Sequence, residues 1–444
     1  MFESFPKEFV WGSATAAYQI EGGVTEGGRG PSVWDTFSHV AGNTANGDTG
    51  DVACDHFHRW RDDLDLIDSL GLHAYRLSTG WSRIMPDGDT PNPAGLDFYD
   101  RLIDGLLARD VTPFVTLNHW DLPQALEDRG GWRARSTAEA FVRYAEVVAE
   151  RLGDRVSHWF THNEPWVVAW LGHVFGEHAP GRRSRQEGLD VAHHLLLSHG
   201  WALPVIRRAA PGAEAGIVLN LIPKVPASSH PADVAAADLE DGSQNRWFLE
   251  PLAGRSYPND VTEALGWDPA AIKDGDMATI ATDADFLGVN FYNRNVIKAA
   301  DIDDDERPTP ITEEGPEFTE MGWEINPSSL YDTLMRVQHR YGLGPLFITE
   351  NGAAMPDETH LDGVVDDQDR IAYLDRHLRA ARRAIADGVD VRGYFVWSLM
   401  DNFEWARGYG KRFGVVHVDS ESLVRTPKAS ARWYSDVIAR NGLA

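Results

Sequence analysis

Eight short apolar runs recur along the chain, each separated from the next by a longer stretch. The runs lie at 9–17, 73–78, 111–120, 155–164, 213–222, 283–292, 344–352 and 391–405. FHRWRDDLDLIDSLG, LDFYDRLIDGLLARD, STAEAFVRYAEVVAERLGD, SSLYDTLMRVQHRYG and DRIAYLDRHLRAARRAIADG, which precede five of them, space their apolar residues as helices do. In the third of these, Ser136 and Glu139 have the spacing of a capping box, and Gly153 sits where a helix would stop. Strands alternating with helical stretches predict an α/β fold with a parallel sheet. Eight such units in 444 residues favour a closed (β/α)8 TIM barrel over an open doubly wound sheet. No linker-like stretch divides the chain, so residues 1–444 are expected to form a single barrel with extended βα loops.

The bulk properties narrow the function classes. Lys plus Arg total 41 against 68 Asp plus Glu, a formal net charge of −27. Nucleic acid and anionic membranes require a positive footprint, so neither is an expected partner. Cys54 is the one cysteine, which rules out an internal disulfide, and it is expected as a buried structural thiol. The opening MFESFPKEFVWG lacks the basic–apolar–small order of a signal peptide, and no run of about 18 apolar residues occurs. The expectation is a cytoplasmic enzyme. A homo-oligomer is compatible with the sequence.

Several chemistries lack their signatures. WGSATAA has the wrong spacing for a dinucleotide fingerprint, and no phosphate loop is present. No GxSxG elbow supports a serine triad. His193, His194 and His199, like His39, His56 and His58, cluster without an HExxH pattern. They read as core and helix-surface histidines, so no metal and no cofactor is expected.

Polar residues gather instead at the C-terminal ends of the apolar runs. Arg76 with Ser78, His119 with Trp120, Asn163 with Glu164, Asn290 with Tyr292, Glu350 with Asn351, and Trp397 with Asp401 and Asn402 all occupy such ends. A parallel barrel brings these ends to one rim, where such folds place their chemistry. Glu164 ends the fourth run and Glu350 the seventh, which sets them across the cavity from each other. Two facing carboxyls suit glycoside hydrolysis, one protonating the leaving oxygen while the other attacks carbon or activates water. Trp120, Trp397 and Trp405 could offer flat apolar faces to a pyranose ring. Gln19, His119, Asn163 and Glu404 are candidates to hydrogen-bond its hydroxyls. The acidic stretch 299–323 is expected as exposed loop, with Trp323 at the mouth as a stacking candidate.

FVWGSATAAYQIEGG, TLNHWDLPQAL, FTHNEPW, FLGVNFY, FITENG and WSLMDNFEWARGYGKRFGVVHVD together resemble the retaining β-glucosidases of glycoside hydrolase family 1, over essentially the whole chain. The resemblance implies a (β/α)8 barrel, in agreement with the strand count. It implies that Glu164 is the general acid/base and Glu350 the nucleophile. It implies that Gln19, His119, Asn163, Glu404 and Trp405 hold the non-reducing sugar, with Trp397 as its platform. Arg76 and Tyr292 would flank the nucleophile and hold its pKa low, and Asn290 would sit near the acid/base. The expected partner is a small β-glucoside or oligosaccharide. Two alternatives stay open: a 6-phospho-β-glycosidase, against which Glu404 argues because related phospho-enzymes carry serine there, and a catalytically silent glycan-binding module, against which intact Glu164 and Glu350 argue. One departure is Arg407, where the family often has Glu.

Overall fold

The computed structural model describes residues 3–301, 315–357 and 365–444. Each of the eight apolar runs contains one strand: β1 Val10–Ala14, β2 Ala74–Ser78, β3 Thr112–Asn118, β4 His158–Asn163, β5 Glu214–Asn220, β6 Phe286–Asn290, β7 Leu346–Asn351 and β8 Val391–Trp397. All neighbours are parallel, and β8 pairs with β1 from Gly393↔Val10 to Trp397↔Ala14, which closes the barrel. Parallel strands covered by helices are buried on both faces, which is why they read as nearly unbroken apolar runs. Long helices follow the strands on the outside, including His56–Ser69, Pro93–Leu107, Arg135–Leu152, Arg185–Ala209 and Gln368–Ala386.

Aromatic rings fill the barrel interior below the rim. Phe114 lies 5.0 Å from Phe395 and 5.5 Å from Phe347, while Phe286 lies 5.0 Å from Phe160 and 5.3 Å from Phe347, centroid to centroid. His158 stacks on Phe114 at 4.1 Å. Glycines in the strands make room for these rings: a Cβ on Gly12 would come within 2.5 Å of the Phe395 ring, and one on Gly216 within 2.5 Å of Phe286. Alternating small and large inward residues is how a tapered barrel is packed solid.

Three local expectations meet different outcomes. Gly153 is the C-cap of its helix. The capping box at Ser136 does not form. The 3₁₀ turn Gly131–Arg133 delivers the chain so that Ala134 is extended and holds the N-cap position, with no side chain capping it; the helix then starts at Arg135, which puts Ser136 inside its first turn. A capping box does occur at Ser32 and Asp35. Cys54 is buried, its Sγ 3.2 Å from the Asp401 carbonyl oxygen. Residues 302–314 of the acidic stretch lie outside the described residues. Among the described residues, no helix is long and apolar enough to cross a membrane.

Candidate active site

The strand ends converge on a cavity of about 730 Å³, within the range of small-molecule sites. His119, Trp120, Glu164, Asn290, Tyr292, Glu350, Trp397, Glu404 and Trp405 line it. Gln19, Arg76 and Asn163 are fully buried next to these residues.

Arg76, from β2, lies over the Phe160 ring at 5.3 Å and so rests on the aromatic floor. It is fully buried and connects the two candidate carboxyls. Its Nη1 donates to Glu350 Oε1 at 2.6 Å, and its Nη2 donates to Asn163 Oδ1 at 2.7 Å. Tyr292 donates its hydroxyl to the other oxygen of Glu350 at 2.6 Å. Asn290 Nδ2 donates to Asn163 Oδ1 at 3.0 Å and to Glu164 Oε1 at 2.6 Å. The Asn290 carbonyl in turn accepts from Thr349 Oγ1 at 2.7 Å, which fixes its amide orientation. One polar network thus joins β2, β4, β6 and β7.

The strands carrying the acids are irregular where the acids emerge. The β4–β5 register shifts between Phe160 and Asn163, and the β7–β6 register shifts between Ile348 and Glu350. Such irregularities re-aim side chains beside active sites. Glu164 has φ +48°, Trp120 φ +80° and Trp405 φ +51°. Left-handed backbone at bulky residues costs on the order of 1–3 kcal/mol each and persists only where the surroundings enforce it. Pro165 does not account for the angle at Glu164, because a residue before proline is pushed toward extended backbone at negative φ.

Burial is the largest influence on both carboxyls, and it raises both pKa values. At Glu164 the Glu350 charge adds to it, outweighing Asn290 and Arg76, and the pKa stands well above the ordinary glutamate value. At Glu350 the Arg76 charge and the Tyr292 hydrogen bond oppose burial without cancelling it. The expectation of a lowered Glu350 value is therefore corrected: complete removal from water outweighs its two donors. Glu164 nevertheless keeps its proton to higher pH than Glu350, because only Glu350 is held by a guanidinium.

The sugar-binding candidates form a second cluster. Trp397 stacks on His119 at 5.8 Å and 19°, and Trp120 lies 4.6 Å from Trp405. His119 is buried and its pKa is driven well down by burial, then by Arg76, so it is neutral. Its Nε2 lies 3.1 Å from Asn163 Nδ2 and must accept there, which puts the proton on Nδ1. That Nδ1 has no partner among the described residues, and neither has Gln19 Oε1. Gln19 donates to Asn402 Oδ1 and the Phe403 carbonyl at 2.9 and 2.8 Å. The Glu404 pKa is pushed up to about 8 by burial and then the Glu350 charge, against Arg407 and Gln19. Trp323 lines the cavity, its ring 5.3 Å from Tyr292.

Sequence reasoning missed Thr349, whose one signal is its place before Glu350 in FITENG. It gave no role to Trp166, which lines the cavity although it closes the motif THNEPW. Arg183, Leu171, Ile222 and Met321 also line it and carry no motif. The histidines set aside as structural lie elsewhere: His56 pairs with Asp63 at 2.8 Å, and His193 contacts Tyr257 and Asp276.

Comparison with known proteins places this geometry. The sequence pattern of glycosyl hydrolase family 1 matches residues 1–443. The chain is 46% identical over 444 residues to β-glucosidase A of Acetivibrio thermocellus, covering 99% of each. It is 47% identical to a bifunctional β-D-glucosidase/β-D-fucosidase of Bifidobacterium breve, covering 98% of each. It superposes with a TM-score of 0.94 and 46% identity, over all of both chains, on a family 1 β-glucosidase from Thermotoga maritima in complex with isofagomine lactam.

Proposed function

The chain belongs to glycosyl hydrolase family 1 and is a glycosidase, and from that premise we propose that it is a retaining, exo-acting β-glucosidase. Its substrates are terminal non-reducing β-D-glucosyl residues of cellobiose, short cello-oligosaccharides and aryl β-glucosides. The observation that carries this reading is the unequal setting of two buried carboxyls on one cavity. Glu350 is ion-paired to Arg76, whereas the Glu164 carboxyl, among the described residues, hydrogen-bonds to the neutral amide of Asn290 and forms no ion pair. Unequal environments assign an acid and a nucleophile.

In the first step Glu164 gives its proton to the glycosidic oxygen as the bond from that oxygen to the anomeric carbon breaks. A Glu350 oxygen attacks the same carbon from the opposite face and forms an ester. The ester removes the negative charge that helped to raise the Glu164 pKa. Glu164, now a carboxylate with lowered basicity, takes a proton from water as that water attacks the anomeric carbon and expels Glu350. Two inversions give net retention, which requires carboxyls about 5–5.5 Å apart. Asn163 spends its carbonyl oxygen on Arg76 and Asn290, so its second Nδ2 hydrogen is the one offered to the sugar 2-hydroxyl. His119 Nδ1, Gln19 Oε1 and Glu404 complete the glycone contacts, with Trp397 as platform.

An alcohol in place of water gives transglycosylation by the same second step. Side activity on β-fucosides or β-galactosides follows if the 4- and 6-hydroxyl contacts are not essential; the Bifidobacterium relative, by its name, acts on fucosides as well. Two measurements test the reading. Proton NMR of early turnover should show β-glucose forming first, and α-glucose first would sink the retaining mechanism. 4-Nitrophenyl β-D-glucoside should be turned over in preference to its 6-phosphate. The reverse preference would make the protein a phospho-glycosidase, and binding of cellobiose without turnover would make it a glycan-binding module.

A further inference from the structure

We propose that the outer part of this cavity takes an anionic aromatic aglycone, held by Arg183 and Arg407, so that phenols bearing a carboxylate are favoured leaving groups. The inference rests on the β-glucosidase reading and extends it to the other side of the scissile bond.

The chain holds 68 acidic and 41 basic residues, so an arginine is seldom far from a carboxylate. Arg155, for example, pairs with Asp100, Asp104 and Asp154 at once. Arg183 and Arg407 are different. Both are exposed, both line the cavity that holds Glu164 and Glu350, and among the described residues neither side chain makes a hydrogen bond or an ion pair. They flank one loop of the mouth. A Cβ on Gly176 would lie 2.9 Å from Arg183 Cγ, and the Arg407 charge reaches His178, two residues further on. Glu177 between them also lines the cavity and forms no ion pair among the described residues, where the mouth carries two cations to one anion.

Exposure distinguishes these guanidinium groups from the glycone residues, although the Arg407 charge also acts on Glu404. Arg407 follows Trp405 in the same 3₁₀ turn, yet Trp405 is buried and Arg407 is open to water. The same cavity is lined by the apolar and aromatic side chains of Trp166, Leu171, Ile222, Met321 and Trp323, alongside the amides of Asn220, Asn293 and Asn295. A flat ring fits against these side chains, and a carboxylate on its far edge meets two guanidinium groups that form no ion pair among the described residues.

The test compares 4-(carboxymethyl)phenyl β-D-glucoside with its 4-(carbamoylmethyl)phenyl counterpart. The methylene insulates the phenol, so the two leaving groups are of similar acidity and differ in charge. Their ratio of kcat/KM cancels any effect that Arg407 has on the glycone, because both carry the same sugar. Exposed pairs are individually weak, so two together should give a ratio of about tenfold for the acid in low-salt buffer. The ratio should fall to about one at ~1 M salt and in an Arg183→Gln/Arg407→Gln double variant. A ratio near one in the unaltered protein, or a preference that persists in the double variant, overturns the proposal. Failure to hydrolyse either glucoside overturns the β-glucosidase reading itself, and this inference with it.

Discussion

The two ends of the cavity are built on opposite principles. At the deep end, Arg76, Asn163, Asn290 and Glu350 are buried, and their polar atoms are shared out among one another within 2.6–3.0 Å. At the mouth, Trp166 and Trp323 are only half-buried, and the Arg183 and Arg407 side chains have no hydrogen-bond or ion-pair partner among the described residues. A network in low dielectric is rigid and costly to disturb; a wet rim is tolerant and adjustable. The deep end is therefore suited to one chemistry, and the mouth to a range of leaving groups.

This contrast can be broken in order of expected effect. Glu350→Gly should abolish hydrolysis, with a loss on the order of 10⁴-fold or more. Azide should restore turnover as the α-glycosyl azide, identified by NMR. A β-azide would reverse the two roles. Glu164→Ala should cost about 10²–10⁴-fold on substrates with poor leaving groups and far less on activated aryl glucosides. Azide should then give the β-product. Equal losses on both substrate types, read as kcat/KM against leaving-group pKa, would remove Glu164 from the proton transfer.

Glu404→Gln sharpens the comparison through stability. The folded pKa of about 8 lies above the ordinary glutamate value. Between the two, the folded state holds a proton that the unfolded chain has lost, so this residue makes stability fall as pH rises toward 8. The variant lacks that penalty. Its Tm advantage over the parent protein should be larger at pH 8 than at pH 5, and an advantage independent of pH would contradict the shift. The smallest effect belongs to the mouth: Trp323→Ala should raise KM for aryl glucosides by about threefold to tenfold, from the loss of one ring contact worth roughly 0.5–1.5 kcal/mol. A fall in kcat by two orders of magnitude would place Trp323 with the deep network instead.

The deep end is also where the sequence was most informative. Buried parallel strands read as apolar runs, and a polar residue at the end of such a run has few explanations besides function; Arg76, Asn163, Glu164, Asn290 and Glu350 stood out for that reason. Their partners were legible, but the balance of forces was not. Nothing in FITENG says that Glu350 is fully enclosed, so its pKa direction was misjudged. Thr349 is an ordinary strand residue until the Asn290 carbonyl is placed beside it. The helix start at Arg135 depends on a preceding 3₁₀ turn, which Ser136 and Glu139 do not encode. The mouth was nearly silent because loop residues such as Arg183, Leu171 and Met321 keep no period and gain their meaning only when distant segments meet.

The aromatic floor has a kinetic consequence. Phe114, Phe160, Phe286, Phe347 and Phe395 pack the barrel below the cavity, so among the described residues they block a path out through the barrel floor. Traffic must then queue. The departing alcohol has to clear the doorway before water can use it, and the released sugar, lying deepest, leaves last. A sugar remaining in that seat blocks the next substrate rather than trailing behind it, so product inhibition should be competitive and governed by how tightly the deep end grips one ring.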